Sequence, residues 1–226
     1  MAKVTKSEQE VRQQNVAEVV SKTDLFFKEN GKLIYGIVIG VLVIALAILA
    51  YNRFVLQPKK VQATDQMAQA ERWFEAGEYE LALTGDDNDL GLEDIISQYG
   101  SKAGEAVYLY AGIAKLRTDE PEEAIKYLKK YNGKDPIMLG KAQACIGDAY
   151  ANLENYAEAV NWFAKAAKTS NNALGAAYLL KAGLAAEANG EPQKALGFYK
   201  EIKDQWSSAP EAMEIDKYIT RIETVE

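Results

Sequence analysis

A small residue recurs in this sequence at a fixed distance from a second small residue and from a large apolar one. Gly147 is followed twelve residues later by Ala159 and sixteen residues later by Phe163. The same spacing begins at Gly112 and at Gly183, so the period is 35 and then 36 residues. A repeat of this length predicts similar helical units that must stack, because no single unit can bury its own apolar face.

The spacing within each unit predicts a pair of packed helices. A glycine in the first helix lets the second helix pack close to it, and the alanine twelve residues later is the matching small residue on the second helix. Large side chains such as Tyr150, Phe163 and Tyr199 then fill the spaces between units. The helices of a pair are separated by turn-prone segments, which are residues 118–123, 153–158 and 188–193.

The pattern resembles the tetratricopeptide repeat, whose units carry G-x-x-Y, then A-x-x-x-F and a closing proline. Residues 146–166 are a good match, and Pro136 closes the preceding unit. Two units depart from the pattern, because Lys115 and Ala186 stand where the family has tyrosine. The resemblance implies an all-α fold, a tetratricopeptide-type α-solenoid of about four helix pairs plus a C-terminal capping helix. A coincidental helical bundle is the alternative.

Both ends of the predicted solenoid differ from the central units. The first unit fits the spacing loosely through Ala70, Trp73 and Ala82, and the step from Ala82 to the next second-helix alanine is 42 residues. A polar insertion between helices, residues 84–101, accounts for the longer step. Residues 209–223 place apolar side chains on one face and predict a final helix that covers the last unit.

An uncharged apolar run precedes the repeats. Residues 33–51 contain no charge and no proline, and at about 1.5 Å per residue they span roughly the 30 Å hydrocarbon core of a membrane. The sequence therefore predicts a transmembrane helix over 33–52, between a tail at 1–32 and a repeat domain at 60–226. A cleaved signal peptide, which has a shorter apolar core, and a buried core helix, which has a polar face, are the alternatives.

The tail and the apolar run carry two weaker patterns. In the tail, Val16, Val19, Val20, Thr23 and Phe27 follow helical spacing and predict a short amphipathic helix that ends near Asn30 and Gly31. In the apolar run, Gly36 and Gly40 form a G-x-x-x-G spacing that lets a second membrane helix approach closely.

Flanking charge does not fix the orientation of the predicted membrane helix, because the two sides carry similar numbers of Lys and Arg. We expect the short tail to be cytoplasmic and the repeat domain to be translocated, which in a bacterium places the repeat domain in the periplasm. The reversed orientation, with a repeat domain facing the cytoplasm, remains an alternative.

Composition disfavours several classes of function. Residues 58–226 contain 19 Lys and Arg against 28 Asp and Glu, a net charge of −9 that repels nucleic acid and anionic lipid. The chain has no His and a single cysteine, Cys145, whose place in a first helix favours a packing role. No phosphate-loop or G-x-S-x-G pattern occurs. We expect no enzyme activity, no cofactor, no metal site and no small-molecule substrate.

The tetratricopeptide resemblance implies a groove lined by the first helices of the pairs. By similarity to the family, the groove positions lie six and three residues before the small residue and one and four after it. The candidate groove residues are Leu109, Ile113, Leu116, Lys141, Ala144, Asp148, Ala151, Leu180, Leu184 and Glu187. Only Lys141 suits the recognition of a carboxylate, so the surface favours an apolar or helical segment. The alternative is that the protein's own helices cover these side chains.

The complete layout, a short tail, one anchor helix and an acidic repeat domain, is similar to that of bacterial YfgM-like proteins, in particular the Bacteroidetes-like variety. This resemblance implies an ancillary subunit of the SecYEG translocon in the inner membrane. Such a subunit works beside a membrane-anchored periplasmic prolyl isomerase and links emerging chains to chaperones. A structural scaffold of another cell-envelope assembly is the alternative function.

Overall fold

The apolar run and the repeats fall into separate parts of the structure. The computed structural model describes residues 6–170 and 174–224, with the backbone alone for residues 6–27. The chain divides into two compact units, Met1–Pro58 and Lys59–Glu226.

The N-terminal unit is built on one long helix, α1, Lys6–Tyr51, which is followed by a π-helical segment, Asn52–Leu56. Large apolar side chains between Leu33 and Tyr51 are exposed. Among residues with described side chains, this region contains the one helical stretch whose length and composition allow it to cross a membrane. An apolar surface on all sides of a helix matches a lipid environment better than it matches water.

Helix α1 continues through Asn30 and Gly31, so the predicted helix end at these residues is wrong. Glycine ends a helix where it takes a left-handed conformation, but inside a helix it costs only about 1 kcal/mol relative to alanine. The Leu, Ile and Ala residues that follow Gly31 favour continuation of the helix. The amphipathic face predicted for the tail lies outside the described side chains.

The second unit is a series of helices joined by short turns. In the described residues these helices are α2 Gln57–Glu75, α3 Tyr79–Thr84, α4 Leu92–Tyr99, α5 Ala106–Arg117, α6 Pro121–Leu128, α7 Pro136–Asn152, α8 Tyr156–Ser170, α9 Leu174–Ala188, α10 Pro192–Gln205 and α11 Ile215–Glu223. Helices α5 to α10 pack in sequence, each on the next, and α11 packs on α10. The predicted α-solenoid with a C-terminal capping helix is therefore confirmed.

One turn geometry recurs between the two helices of every pair. A residue with a left-handed φ ends each first helix, and these residues are Gly77, Asp119, Glu154 and Gly190. The N–H of the next residue donates to the carbonyl oxygen five residues earlier, as from Asn155 to Tyr150 at 2.9 Å and from Glu78 to Trp73 at 2.9 Å. Because the turn after α2 has the same geometry, the loosely matching first unit is a member of the repeat.

The recurring glycines lie directly against the residue sixteen positions later. A Cβ on Gly147 would come within 2.7 Å of Cδ1 of Phe163, and a Cβ on Gly112 would come within 2.5 Å of Cγ of Leu128. Gly183 is in similarly close contact with the ring of Tyr199. The absence of a side chain is thus what allows each pair of helices to close, as the spacing predicts.

The segment 84–101 is more than a polar insertion. It contains helix α4, in which Leu92 and Ile95 are completely buried, so it adds a helix to the core of the first pair. Only its first half is polar. There Asp86 Oδ1 accepts hydrogen bonds from the backbone N–H groups of Asn88 and Asp89 at 2.8 Å each, which stabilises a turn.

Buried apolar residues form three neighbouring clusters along the stack. The first joins α2, α3, α4 and α5, the second joins α5, α6 and α7, and the third extends from α7 to α11. The third cluster contains the buried residues Ile215, Ile219 and Ile222 of α11. Helix α11 therefore covers apolar surface that the last pair leaves open, as a terminal cap must.

Candidate protein-interaction surface

The candidate groove residues lie on α5, α7 and α9, the first helices of three pairs. Two of them are buried, because Leu109 is 2% exposed and Ala144 is 3% exposed. Leu109 packs in the cluster between α5, α6 and α7, and Ala144 packs in the C-terminal cluster. These two side chains belong to the core of the solenoid and present no surface to a partner.

Four apolar candidates are partly buried against the same clusters. Ile113 and Leu116 pack on the cluster between α5, α6 and α7, whereas Ala151 and Leu180 pack on the C-terminal cluster. Each keeps part of its surface open to solvent. The protein's own helices therefore cover a share of the apolar surface that the sequence assigns to the groove.

Asp148 is paired within the solenoid. The Lys181 ammonium donates to Asp148 Oδ1 at 2.7 Å and to Oδ2 at 2.9 Å, and it lies 5.5 Å from the centroid of the Phe163 ring. The pair joins α7 to α9 across neighbouring units, although an exposed pair contributes only about 0–1 kcal/mol to stability. Lys141, on the same helix as Asp148, is exposed.

Glu187 is held at the C-terminal end of the stack. The Tyr199 hydroxyl and the Arg221 guanidinium both donate to its Oε1, each at 2.5 Å. Burial and the hydrogen bond to Glu187 raise the pKa of Tyr199 above its ordinary value. Glu187 thereby connects α9 with α10 and α11, so this candidate groove position contributes to the cap.

An apolar cavity of about 240 Å³ opens between α7, α8 and α9. Two candidate groove residues, Ala151 and Leu184, line it together with Tyr156, Phe163 and Ala188. Leu184 is 42% exposed, which is high for a leucine beside the core. Ala151 and Leu184 are thus two candidate positions that line the same open cavity, whose lining also includes Lys181.

The chemistry expected of Cys145 agrees with a packing role. Burial, reinforced by the charge of Asp148, raises the pKa of the thiol to about 11. Because the thiolate is the nucleophilic form, the raised pKa agrees with a packing role for this cysteine. Among the described residues, no group of three His, Cys, Asp or Glu side chains is placed to hold a metal ion.

The structure explains why a lysine stands at position 115, which the repeat pattern alone does not. The Lys115 ammonium lies 2.9 Å from Oε1 of Glu93 on α4 and 2.9 Å from Oε2 of Glu120 in the following turn. Burial alone lowers the pKa of Lys115, but the hydrogen bonds to Glu120 and Glu93 raise it. Lys115 stands on α5, where the tetratricopeptide pattern has tyrosine, and its ion pair with Glu93 ties α4 to the next pair of helices.

Gly36 and Gly40 lie on α1, in the apolar stretch. A Cβ on either glycine would meet no atom within 4 Å among the described residues. The pairing of this face with a second helix stays a prediction.

The comparisons with known proteins concern the fold. No protein-family model and no curated protein matches the sequence. One solved structure is a variant of a Podospora anserina protein described as a kinesin light chain, whose own TPR-like repeats are nearly identical to one another. It has a TM-score of 0.52 to this chain. The two sequences are 16% identical, and the match covers 72% of this chain and 85% of that chain.

This likeness, the repeated turns and the glycine contacts define the class of the second unit as a tetratricopeptide-like helical repeat. Solenoids of this class have extended surfaces on which other proteins can bind. At 16% identity the solved structure provides no partner for this chain.

Proposed function

We propose that this protein is a non-catalytic adaptor that α1 anchors in the bacterial inner membrane, with its N-terminus in the cytoplasm and its repeat domain in the periplasm. By resemblance to YfgM-like proteins, it acts beside the Sec translocon and links emerging periplasmic proteins to a chaperone such as a membrane-anchored prolyl isomerase. The repeat fold supports the adaptor role, and the exposed apolar helix supports the membrane anchor.

The observation that carries the proposal is the open apolar surface at Leu184. This side chain is 42% exposed beside a cavity whose other lining residues include Phe163 and Ala151. Exposing apolar surface costs about 25 cal/mol per Å² relative to burying it. A partner that covers Leu184 with an apolar or helical segment recovers that free energy, which is how grooves of this kind bind amphipathic segments.

The charge of the repeat domain narrows the class of partner. Residues 58–226 carry nine more acidic than basic residues. Phosphate backbones and anionic headgroups are repelled by such a domain, whereas a polypeptide partner needs only local complementarity. We therefore propose protein partners rather than nucleic acid.

Site-specific photocrosslinking in membranes tests the proposal. A photoreactive phenylalanine analogue at Leu184 is expected to crosslink to a translocon component, a chaperone or an emerging chain. Ile137 is a matched control, because it is an apolar residue on a first helix, is 46% exposed and lies outside the candidate groove. Crosslinks of equal yield and identity from both positions would count against a specific groove.

Copurification in mild detergent separates the proposed function from its alternative. Recovery of translocon components by mass spectrometry supports the adaptor, whereas recovery of a different envelope assembly without them supports a structural scaffold. A reporter fused after Glu226 tests the orientation, since activity confined to the cytoplasm would overturn the periplasmic placement of the repeat domain.

A further inference from the structure

A second feature of the repeat domain lies away from the predicted groove. Gln143 on α7 is 6% exposed, and its Oε1 has no hydrogen-bond partner among the described residues. Leaving a buried acceptor without a partner costs about 1–3 kcal/mol. Such groups are rare in folded proteins and call for a physical explanation.

Gln143 lines a cavity of about 120 Å³ between α6, α7 and α8. The other residues that shape this cavity include Lys129, Tyr131, Ile146, Trp162 and Lys165. None of the ten candidate groove residues lines it. The cavity is much smaller than the roughly 300–1,000 Å³ of a typical small-molecule pocket, so its size suits a single side chain.

Two lysines, one in the turn after α6 and one on α8, lie near one aromatic ring of this cavity. The Nζ of Lys165 lies 4.6 Å from the centroid of the Trp162 ring, and the Nζ of Lys129 lies 5.8 Å from the same centroid. Lys129 also donates a hydrogen bond to the Tyr150 hydroxyl at 3.1 Å. In the described part of the chain, neither lysine has a carboxylate within 4.0 Å, although the domain is acidic overall.

We propose that this cavity, the Gln143 site, binds an acidic side chain of a partner polypeptide. The carboxylate of that side chain is placed between the ammonium groups of Lys129 and Lys165, and a neighbouring N–H of the partner donates to Gln143 Oε1. The methylene groups of the bound side chain contact the Trp162 ring. With one ligand, this arrangement gives the buried acceptor a donor and gives both lysines a carboxylate partner.

The unpartnered oxygen favours a polypeptide over a phosphate group. Both ligands offer negative charge to the two lysines, but the ionised phosphodiester group of a lipid has no hydrogen to donate to Oε1. A peptide supplies a carboxylate and an amide N–H within one or two residues. Hydrogen bonds between charged partners are roughly twice as strong as neutral ones, so the lysines are expected to contribute most of the affinity.

Fluorine NMR of the full-length protein in a non-ionic detergent tests this proposal. With 5-fluorotryptophan incorporated, the chain gives three signals, from Trp73, Trp162 and Trp206. The probe is the peptide acetyl-Gly-Glu-Glu-Gly-amide, and its neutral control is acetyl-Gly-Gln-Gln-Gly-amide. We expect the acidic peptide to shift the Trp162 signal saturably and the other two signals to remain in place.

Substitutions at the cavity separate binding from folding. Lys129→Gln and Lys165→Gln are each expected to weaken the acidic peptide about tenfold, the loss typical of a hydrogen bond to a charged group. Gln143→Leu is expected to weaken it as well, while leaving the free protein as stable or more stable. Lys168→Gln is the matched control. Lys168 is an exposed lysine on α8, like Lys165, but it lies outside the cavity.

Three results would overturn the proposal. The first is the absence of a saturable Trp162 shift up to about 10 mM peptide, which would mean a binding free energy weaker than about −2.7 kcal/mol. The second is an equal shift with the neutral peptide. The third is a Trp162 shift produced by inorganic phosphate, or by phosphatidylglycerol in mixed micelles with the detergent, but not by the peptide. The Gln143 site and the groove at Leu184 are independent, so crosslinking from Leu184 and peptide binding near Trp162 can fail separately.

Discussion

Gly147 on α7 lies against the ring of Phe163 on α8, so closely that a Cβ on the glycine would come within 2.7 Å of Cδ1 of the ring. Phe163 is 3% exposed and belongs to the C-terminal core cluster. The ring therefore has little freedom to move away. The sixteen-residue spacing in the sequence therefore reflects this contact between the two helices.

We expect Gly147→Ala to lower the free energy of unfolding by about 1–3 kcal/mol, because the added methyl group overpacks the contact with Phe163. The usual gain of about 1 kcal/mol from replacing a helical glycine by alanine offsets only part of this loss. Gly197 on α10 is the matched control, since a Cβ there meets nothing within 4 Å. Gly197→Ala is expected to raise the melting temperature, and equal effects of the two substitutions in thermal unfolding would contradict the packing explanation.

The left-handed turns predict a pair of opposite effects. Glu154 has a φ of 57° and is exposed, so Glu154→Gly removes backbone strain and is expected to stabilise the protein by up to about 1 kcal/mol. Gly190 holds the equivalent place in the next unit with a φ of 76°, and a Cβ there meets no neighbour. Gly190→Ala is therefore expected to destabilise by about 1 kcal/mol through conformation alone. Urea titrations followed by circular dichroism measure both, and shifts of the same sign would contradict this account.

The register of the repeat could be predicted because it depends on residue size at fixed spacing. Gly112, Gly147 and Gly183 leave room for one large side chain each, and a period of 35 or 36 residues admits few other folds. Helix α4 was missed, although a signal was present: the apolar residues Leu92, Ile95 and Ile96 follow helical spacing within the polar insertion.

The exposure of the groove residues could not be predicted to the same degree. Leu109 and Leu184 are both leucines on first helices, yet one is 2% exposed and the other 42%. The difference depends on which neighbouring helix covers each position, and this information is not contained in the residue type. Likewise, no sequence pattern identifies Gln143, because its significance comes from burial without a hydrogen-bond partner.

The glycine spacing in α1 predicts that a second membrane helix can approach this face closely, and association between two copies of the chain tests this prediction. We expect Gly36→Ile combined with Gly40→Ile to reduce association, because the larger side chains prevent close approach of two backbones. Ala45→Ile is the control, since nine residues at 100° per residue place it about 180° from Gly36 on the helix. Energy transfer between labelled full-length chains in liposomes measures the effect. Unchanged transfer in the double variant, or an equal loss in the control, would be evidence against this face.

Because Lys115 is nearly buried, its ion pairs are expected to contribute more to the free energy of unfolding than the ion pair of an exposed lysine. Side chains of Lys115 and Lys126 both pair with glutamate, but their exposed fractions are 10% and 65%. We expect Lys115→Ala to destabilise the protein by about 1–3 kcal/mol, because it leaves Glu93 and Glu120 without their cation and loosens α4. Lys126→Ala is expected to cost less than about 0.5 kcal/mol. If urea titration shows similar losses of unfolding free energy for the two variants, Lys115 does not hold α4 in place.

The Lys115 contribution is also expected to depend on pH through Glu120. The hydrogen bond from Lys115 lowers the pKa of Glu120, and burial opposes this effect. A carboxyl group whose pKa is lower in the folded state stabilises fully above its unfolded pKa and loses that contribution as pH falls through the folded value. The difference in unfolding free energy between the wild type and Lys115→Ala should therefore shrink from about pH 5 toward about pH 3. Urea titrations across this range measure the difference, and a value independent of pH would show that Glu120 does not share the charge of Lys115.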